Sequence, residues 1–181
     1  MTIRERWRAV IAAALAFGMA SAGPAFAAGW TLQEFETPLG DKGVALLVRS
    51  KRHSDVQLGI GCDGDTGHRW RGVSVVQEAD NKSGLGMRGD VRVGFGDTSS
   101  RDLWAVRTTA AERRIFTAAE PTKLARRMLK AEQASPTAEM TVEIHGVNGT
   151  PVLLTFPLAG LGAKIDQISA KCDDWDIREK D

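Results

Sequence analysis

"VQLGIGCDGDTGHRWRGVSVV", residues 56–76, reads as two strands around a turn. In its first third Val56, Leu58, Ile60 and Cys62 share one parity, while Gln57, Gly59 and Gly61 take the other. That alternation marks a strand and points Cys62 to the core. "DGDTGH" (63–68) supplies the turn, and "RWRGVSVV" (69–76) returns as the antiparallel partner. Upstream, "VALLVR" (44–49) is apolar on both faces, as in a strand covered on both sides. Downstream, beyond the polar loop "EADNKSG" (78–84), Met87, Val91, Val93 and Phe95 alternate with Arg88, Asp90, Arg92 and Gly94. "DLWAVRT" (102–108) and "RRIFTA" (113–118) add two short strands.

The period then changes. "PTKLARRMLKAEQ" (121–133) starts at a proline, which a first helical position tolerates. At 100° per residue Lys123, Arg126, Arg127 and Lys130 fall within one arc of about 100°, and Leu124, Ala125, Met128 and Leu129 fill much of the opposite side. "EMTVEIHG" (139–146) and "TPVLLTFP" (150–157) form a second hairpin around "VNG". In "LGAKIDQISAKC" (161–172), Leu161, Ile165, Ile168 and Cys172 lie on one helical stripe. Strands follow one another instead of alternating with helices. The expected fold is therefore an antiparallel α+β domain: a sheet or sandwich-like β part, one amphipathic helix over 121–133 and a C-terminal helix over 161–172.

The N-terminus has the layout of a secretory signal peptide: the basic "MTIRERWR", the apolar "AVIAAALAFGMA", and small residues ending in Ala25-x-Ala27. Residues 1–27 are read as the leader and 28–181 as one exported domain. The apolar stretch falls short of the roughly 20 residues that a membrane-spanning helix needs. No adjacent twin arginines and no cysteine after the cleavage point redirect the reading. Removing Arg4, Glu5, Arg6 and Arg8 turns 24 basic and 23 acidic residues into 21 and 22. So balanced a chain argues against bulk binding to nucleic acid. Cys62 and Cys172 admit one intramolecular pairing, which an oxidising periplasm or exterior favours. Buried free thiols or an intermolecular bridge are the alternatives. Closing a loop of about 110 residues would contribute about 4–5 kcal/mol, less any strain.

Several stretches invite a chemical reading. Gly84-x-Gly86-x-x-Gly89 has dinucleotide-fingerprint spacing, but it leads into a period-two strand where the fingerprint needs a helix N-terminus. A flexible turn opening a strand explains it better. Asp63 and Asp65 suggest a calcium loop, yet Gly67, His68 and Ser74 stand where a ligand, a glycine and a glutamate are required. His53, His68 and His145 lie in no zinc motif, and there is no GxSxG elbow. No cofactor and no metal are expected. Four tryptophans follow the leader, Trp30, Trp70, Trp104 and Trp175, and two exposed together would mark a binding patch. The basic face of helix 121–133, Lys123, Arg126, Arg127 and Lys130, is the candidate partner surface, with an ordinary solvated face as the plainer reading.

"FETPLGDKGVALLV" (35–48), "LGIGCDGDT" (58–66), "VRVGFGD" (91–97), "FTAAEPTKLARRMLKA" (116–131) and "LLTFPLAGLGAKIDQISAKC" (153–172) occur in that order. The arrangement resembles the VasI type of type VI secretion-associated exported proteins. In that family a Trp-led segment precedes the strands, a cysteine opens a short turn, and a Gly-Leu segment introduces a terminal helix ending in cysteine. Cys62, Thr66, Gly160, Leu161 and Cys172 carry the resemblance most specifically, and residues 68–92 depart from it. It implies a periplasmic, non-catalytic accessory protein and supplies no catalytic residues. The expected function is therefore an interaction protein for an envelope or secretion-system component or an anionic envelope polymer. An envelope hydrolase with a dispersed site around His68 or His53 is the alternative.

Overall fold

The computed structural model describes residues 29–36, 42–63, 70–80, 82–109, 111–172 and 175–178. The leader assigned to 1–27, and Asp65, Thr66, Gly67 and His68 of the candidate calcium loop, lie outside them. The founding hairpin forms as read: β3 (Val56–Asp63) pairs antiparallel with β4 (Trp70–Gln77), Leu58 opposite Val75 and Ile60 opposite Val73. All four side chains are fully buried. Around them lie β1 (Thr31–Glu36), β2 (Lys42–Arg49), β5 (Asp90–Phe95), β6 (Thr98–Thr108), β7 (Arg114–Ala118), β8 (Glu139–His145) and β9 (Pro151–Pro157). They make one nine-stranded sheet in the order β1-β2-β3-β4-β7-β6-β5-β8-β9, every neighbouring pair antiparallel.

This is a mostly-β chain with two helices, which corrects the balance of the α+β expectation, and its strands belong to one sheet and not to a sandwich. Two features account for the difference. β1 (TLQEFE) has no period-two pattern because it is an edge strand with no fully buried position, held by its pairing with β2. β6 runs eleven residues because its first part, Thr98–Leu103, pairs with β5, and its second, Trp104–Thr108, pairs with β7. One strand thereby joins the two halves of the sheet.

Helices α1 (Pro121–Ala134) and α2 (Leu161–Lys171) pack on one face of that sheet. α1 buries Leu124, Ala125, Met128 and Leu129 against β4, β7 and β8, and α2 buries Leu161, Ile165 and Ile168 against β2 and α1. Cys172 caps α2 and is bonded to Cys62 across 110 residues, with Cα atoms 5.8 Å apart. Arg71, opposite Cys62 on β4, donates to the Cys172 carbonyl at 2.9 Å. No described helix is long and apolar enough to cross a membrane.

The glycine-spaced stretch 84–89 is pinned, which corrects its reading as a flexible turn. Leu85 is fully buried and bridges Gly146; the Gly86 amide donates to the His145 carbonyl at 2.7 Å, and Val147 donates to Gly84. A Cβ at Gly86 would lie 2.7 Å from that His145 oxygen, and one at Gly89 would lie 2.2 Å from the Trp104 oxygen. The glycines admit neighbouring backbone where the fingerprint would admit a phosphate. A buried polar network holds the preceding loop. The Ser83 amide donates to the Asp55 carboxylate at 2.9 Å, Gln77 donates to the Ser83 hydroxyl, and Arg114 donates to the Leu85 carbonyl. Burial alone would raise the Asp55 pKa, but hydrogen bonds from the Ser83 amide and hydroxyl and from Gln77 outweigh it and hold the carboxyl below its ordinary value.

The Cys62→Ser/Cys172→Ser variant loses about 2–5 kcal/mol, a fall in Tm of roughly 5–15 °C by calorimetry; melting within a degree or two of wild type would remove the disulfide as a main tie. Asp55→Asn costs about 1–3 kcal/mol at neutral pH by urea unfolding. Because the folded pKa is depressed, that difference shrinks as pH falls below the ordinary value of 3.8 and through the folded one.

Candidate functional site

The first turn of α1 begins at Pro121, with Glu120 at its N-cap and no side-chain cap. The apolar arc docks on the sheet, so most of the basic arc is turned away from it, with Arg127 at the border reaching back to the sheet. Thr122, on the first turn, accepts the Trp175 indole N–H at 2.9 Å, and Trp175 and Ile177 are buried. The chain after α2 thus lies along α1. Between them runs an open groove of about 930 Å³, lined by Lys123, Arg126, Arg127, Lys130, Ile177 and Arg178 among others.

The four basic residues read from the sequence do gather here, but they divide into two kinds. Arg126 donates through Nε to the Ile177 carbonyl at 3.2 Å and through Nη2 to the Asp176 carbonyl at 3.0 Å. Arg127 stands 3.6 Å from the Asp102 carboxylate, with its guanidinium 4.9 Å from the Phe95 ring centre. Both are therefore structural ties, the first to the C-terminal segment and the second to β5 and β6. Lys123 pairs at 2.9 Å with Glu120, and both side chains are about two-thirds exposed, a pairing worth little in water. Lys130 is exposed and has no ion-pair partner among the described residues. Lys130, unpaired among the described residues, and Lys123, held only by that exposed pair, lie seven positions apart on one helix face and are the cations available to a partner.

Arg178 closes the end of the groove, donating to Asp166 at 2.7 Å and to the Gly162 carbonyl at 2.8 Å. Its hydrogen bond with Asp166 raises the guanidinium pKa above the usual value. From the other side Glu132 accepts the Gly162 amide at 2.7 Å, satisfying one of the free N–H groups at the start of α2. Sequence reading missed both residues. Glu132 had a signal, since at 100° per residue it falls in the middle of the apolar arc, where a carboxylate requires a polar partner. Arg178 had none, because its partners come from another element.

The other candidates are dispersed. His53 is half-buried in the β2–β3 turn and His145 half-buried at the end of β8; among the described residues neither side chain forms a hydrogen bond, and His68 lies outside them. No group of three or more His, Cys, Asp or Glu side chains is placed to hold a metal among the described residues. Trp30, Trp104 and Trp175 are buried, so none of the three offers an exposed aromatic surface. Asp63 is buried, and it counteracts part of the desolvation that pushes the Arg107 guanidinium down to about 10.

Arg126→Ala should free the segment after α2: amide exchange at Trp175 and Ile177 rises at least about tenfold while the sheet amides keep their protection. Unchanged exchange at those two amides would remove Arg126 as the tie.

No protein-family model, curated protein or solved structure matches the chain.

Proposed function

We propose that this is a non-catalytic interaction protein of the periplasm or cell exterior, which takes an acidic surface of an envelope or secretion-system protein along the α1 groove. The observation that carries the reading is the division within the basic face. Arg126 and Arg127 lock α1 to its surroundings, and Lys123 and Lys130 are left projecting over an open groove of about 930 Å³. A rigid helix that presents one unpaired lysine and one held only by an exposed pair loses little conformational freedom when it binds. The Cys62–Cys172 bond suits an oxidising compartment and agrees with the leader read at residues 1–27. The resemblance to VasI-type proteins supports a secretion-system partner over a polymer.

The experiment is a crosslinked pull-down with the oxidised protein from periplasmic extract, comparing wild type with Lys123→Glu/Lys130→Glu. Both lysines are exposed, so the variant should melt with wild type while capture falls at least about tenfold, and capture by wild type should weaken as salt rises. Capture unchanged by the variant would take α1 out of the proposal.

A further inference from the structure

The side of the sheet turned away from the helices carries a second charged surface, whose charges form no ion pair among the described residues. On β5 and β8 the inward side chains Val91, Val93, Val142 and Ile144 are buried, so Asp90, Arg92, Glu143 and His145 point outward. Register sets two cross-strand rows. Arg101, Arg92, Glu143 and Leu153 stand side by side on β6, β5, β8 and β9. In the next row Leu103 pairs with Asp90 and His145 with Pro151, and the β5–β8 register carried one residue further sets Asp90 beside His145. The rows border a shallow depression of about 390 Å³. Among the described residues Asp90, Arg92, Arg101 and Glu143 form no ion pair, in contrast to Lys123, Arg126 and Arg127 of α1. Leu103 is 71% exposed and Leu153 46%, both on this face.

The order of charges selects the occupant. Along the first row the signs run positive, positive, negative, apolar, so a uniformly charged polymer would meet like charge within it. A copy of the same face, rotated by a two-fold axis parallel to the strands and lying between β5 and β8, meets its complement. The rotation keeps height along the strands and exchanges β5 with β8 and β6 with β9. Arg92 of each copy then faces Glu143 of the other, Asp90 faces His145, Leu103 faces Pro151, and the Arg101 stem faces Leu153. Such a contact is isologous and closes on itself. Strand addition at the β9 edge is disfavoured, because Pro151 and Pro157 lack N–H donors and the Lys51 amide already donates to the Thr155 carbonyl at 2.8 Å.

We propose that a second copy of this chain docks face to face on the outer surface of β6-β5-β8-β9, with Arg92 paired to Glu143 across the two-fold axis. Four strands at about 4.8 Å spacing and two or three outward rows make a face roughly 15–20 Å on a side. Such a face buries roughly 450–800 Å² from the two copies together, below the range of stable interfaces and within that of weak, transient ones, so the dimer is reversible and forms at roughly 10–500 µM.

Sedimentation equilibrium of the oxidised full chain over that range tests it, with circular dichroism confirming that each variant is folded. Wild type should dimerise with concentration. Arg92→Glu and Glu143→Arg should each weaken the dimer at least about tenfold by opposing like charges, and the double exchange should recover most of the loss. Leu103→Lys, at a position that contributes nothing to the core, should weaken it as well. A wild type monomeric throughout would give the face to another chain or to none and overturn the proposal. So would a dimer indifferent to the single reversals, or a double exchange no tighter than the singles.

Discussion

The bond between Cys62 and Cys172 joins the middle of the sheet to the end of the last helix, and the working surfaces of the helical side depend on it. With Cys172 held beside β3 and β4, α2 has its position over β2, and Arg71 reinforces that position through the carbonyl of the same cysteine. α2 in turn takes its N-terminal polar partner from Glu132 of α1. The segment after α2 returns along α1 through Trp175 and Arg126. Hydrophobic burial supplies most of the driving force for this packing. The covalent tie selects which packing is reached.

Charge is distributed unevenly between the two faces of the molecule, although the formal net charge is only +1. On the helical side most cations have been drawn into pairs with Glu120, Asp102, Asp176 and Asp166. Exposed pairs of this kind contribute about 0–1 kcal/mol each. Their effect is to mute the field of a helix that looks strongly basic in sequence. The outward face of β5, β6 and β8 has fewer charges, but they stand unmatched within the described residues. A count of lysines and arginines would rank these surfaces in the opposite order.

Much of the sheet was legible because its physics is local. Alternation at 56–62 and 139–145 marks which side chains face inward, and each cysteine falls on the apolar stripe of its own element. The helix at 121–134 announced itself through its 3.6-residue period. What stayed hidden is held by distant parts of the chain. β1 exists because β2 offers it an edge, and the division of β6 reflects two different partners. The glycines at 86 and 89 accommodate carbonyls of His145 and Trp104, residues that no window around 84–89 contains. The candidate site was half legible for the same reason. Four cations on one arc are a local pattern, but which of them are already engaged is decided by Asp102, Asp176 and Ile177.

The position of Cys172 also has a meaning in time. Every strand and helix described here precedes it in the chain, so the thiol that closes the fold is made after all the parts it closes. A chain that stops short of Cys172 cannot be locked, however many of its strands have paired. Covalent closure is thereby coupled to the appearance of the last described helix, and a proteolytic system that samples loosely held chains would discriminate locked chains from fragments that stop before Cys172 without any dedicated recognition signal.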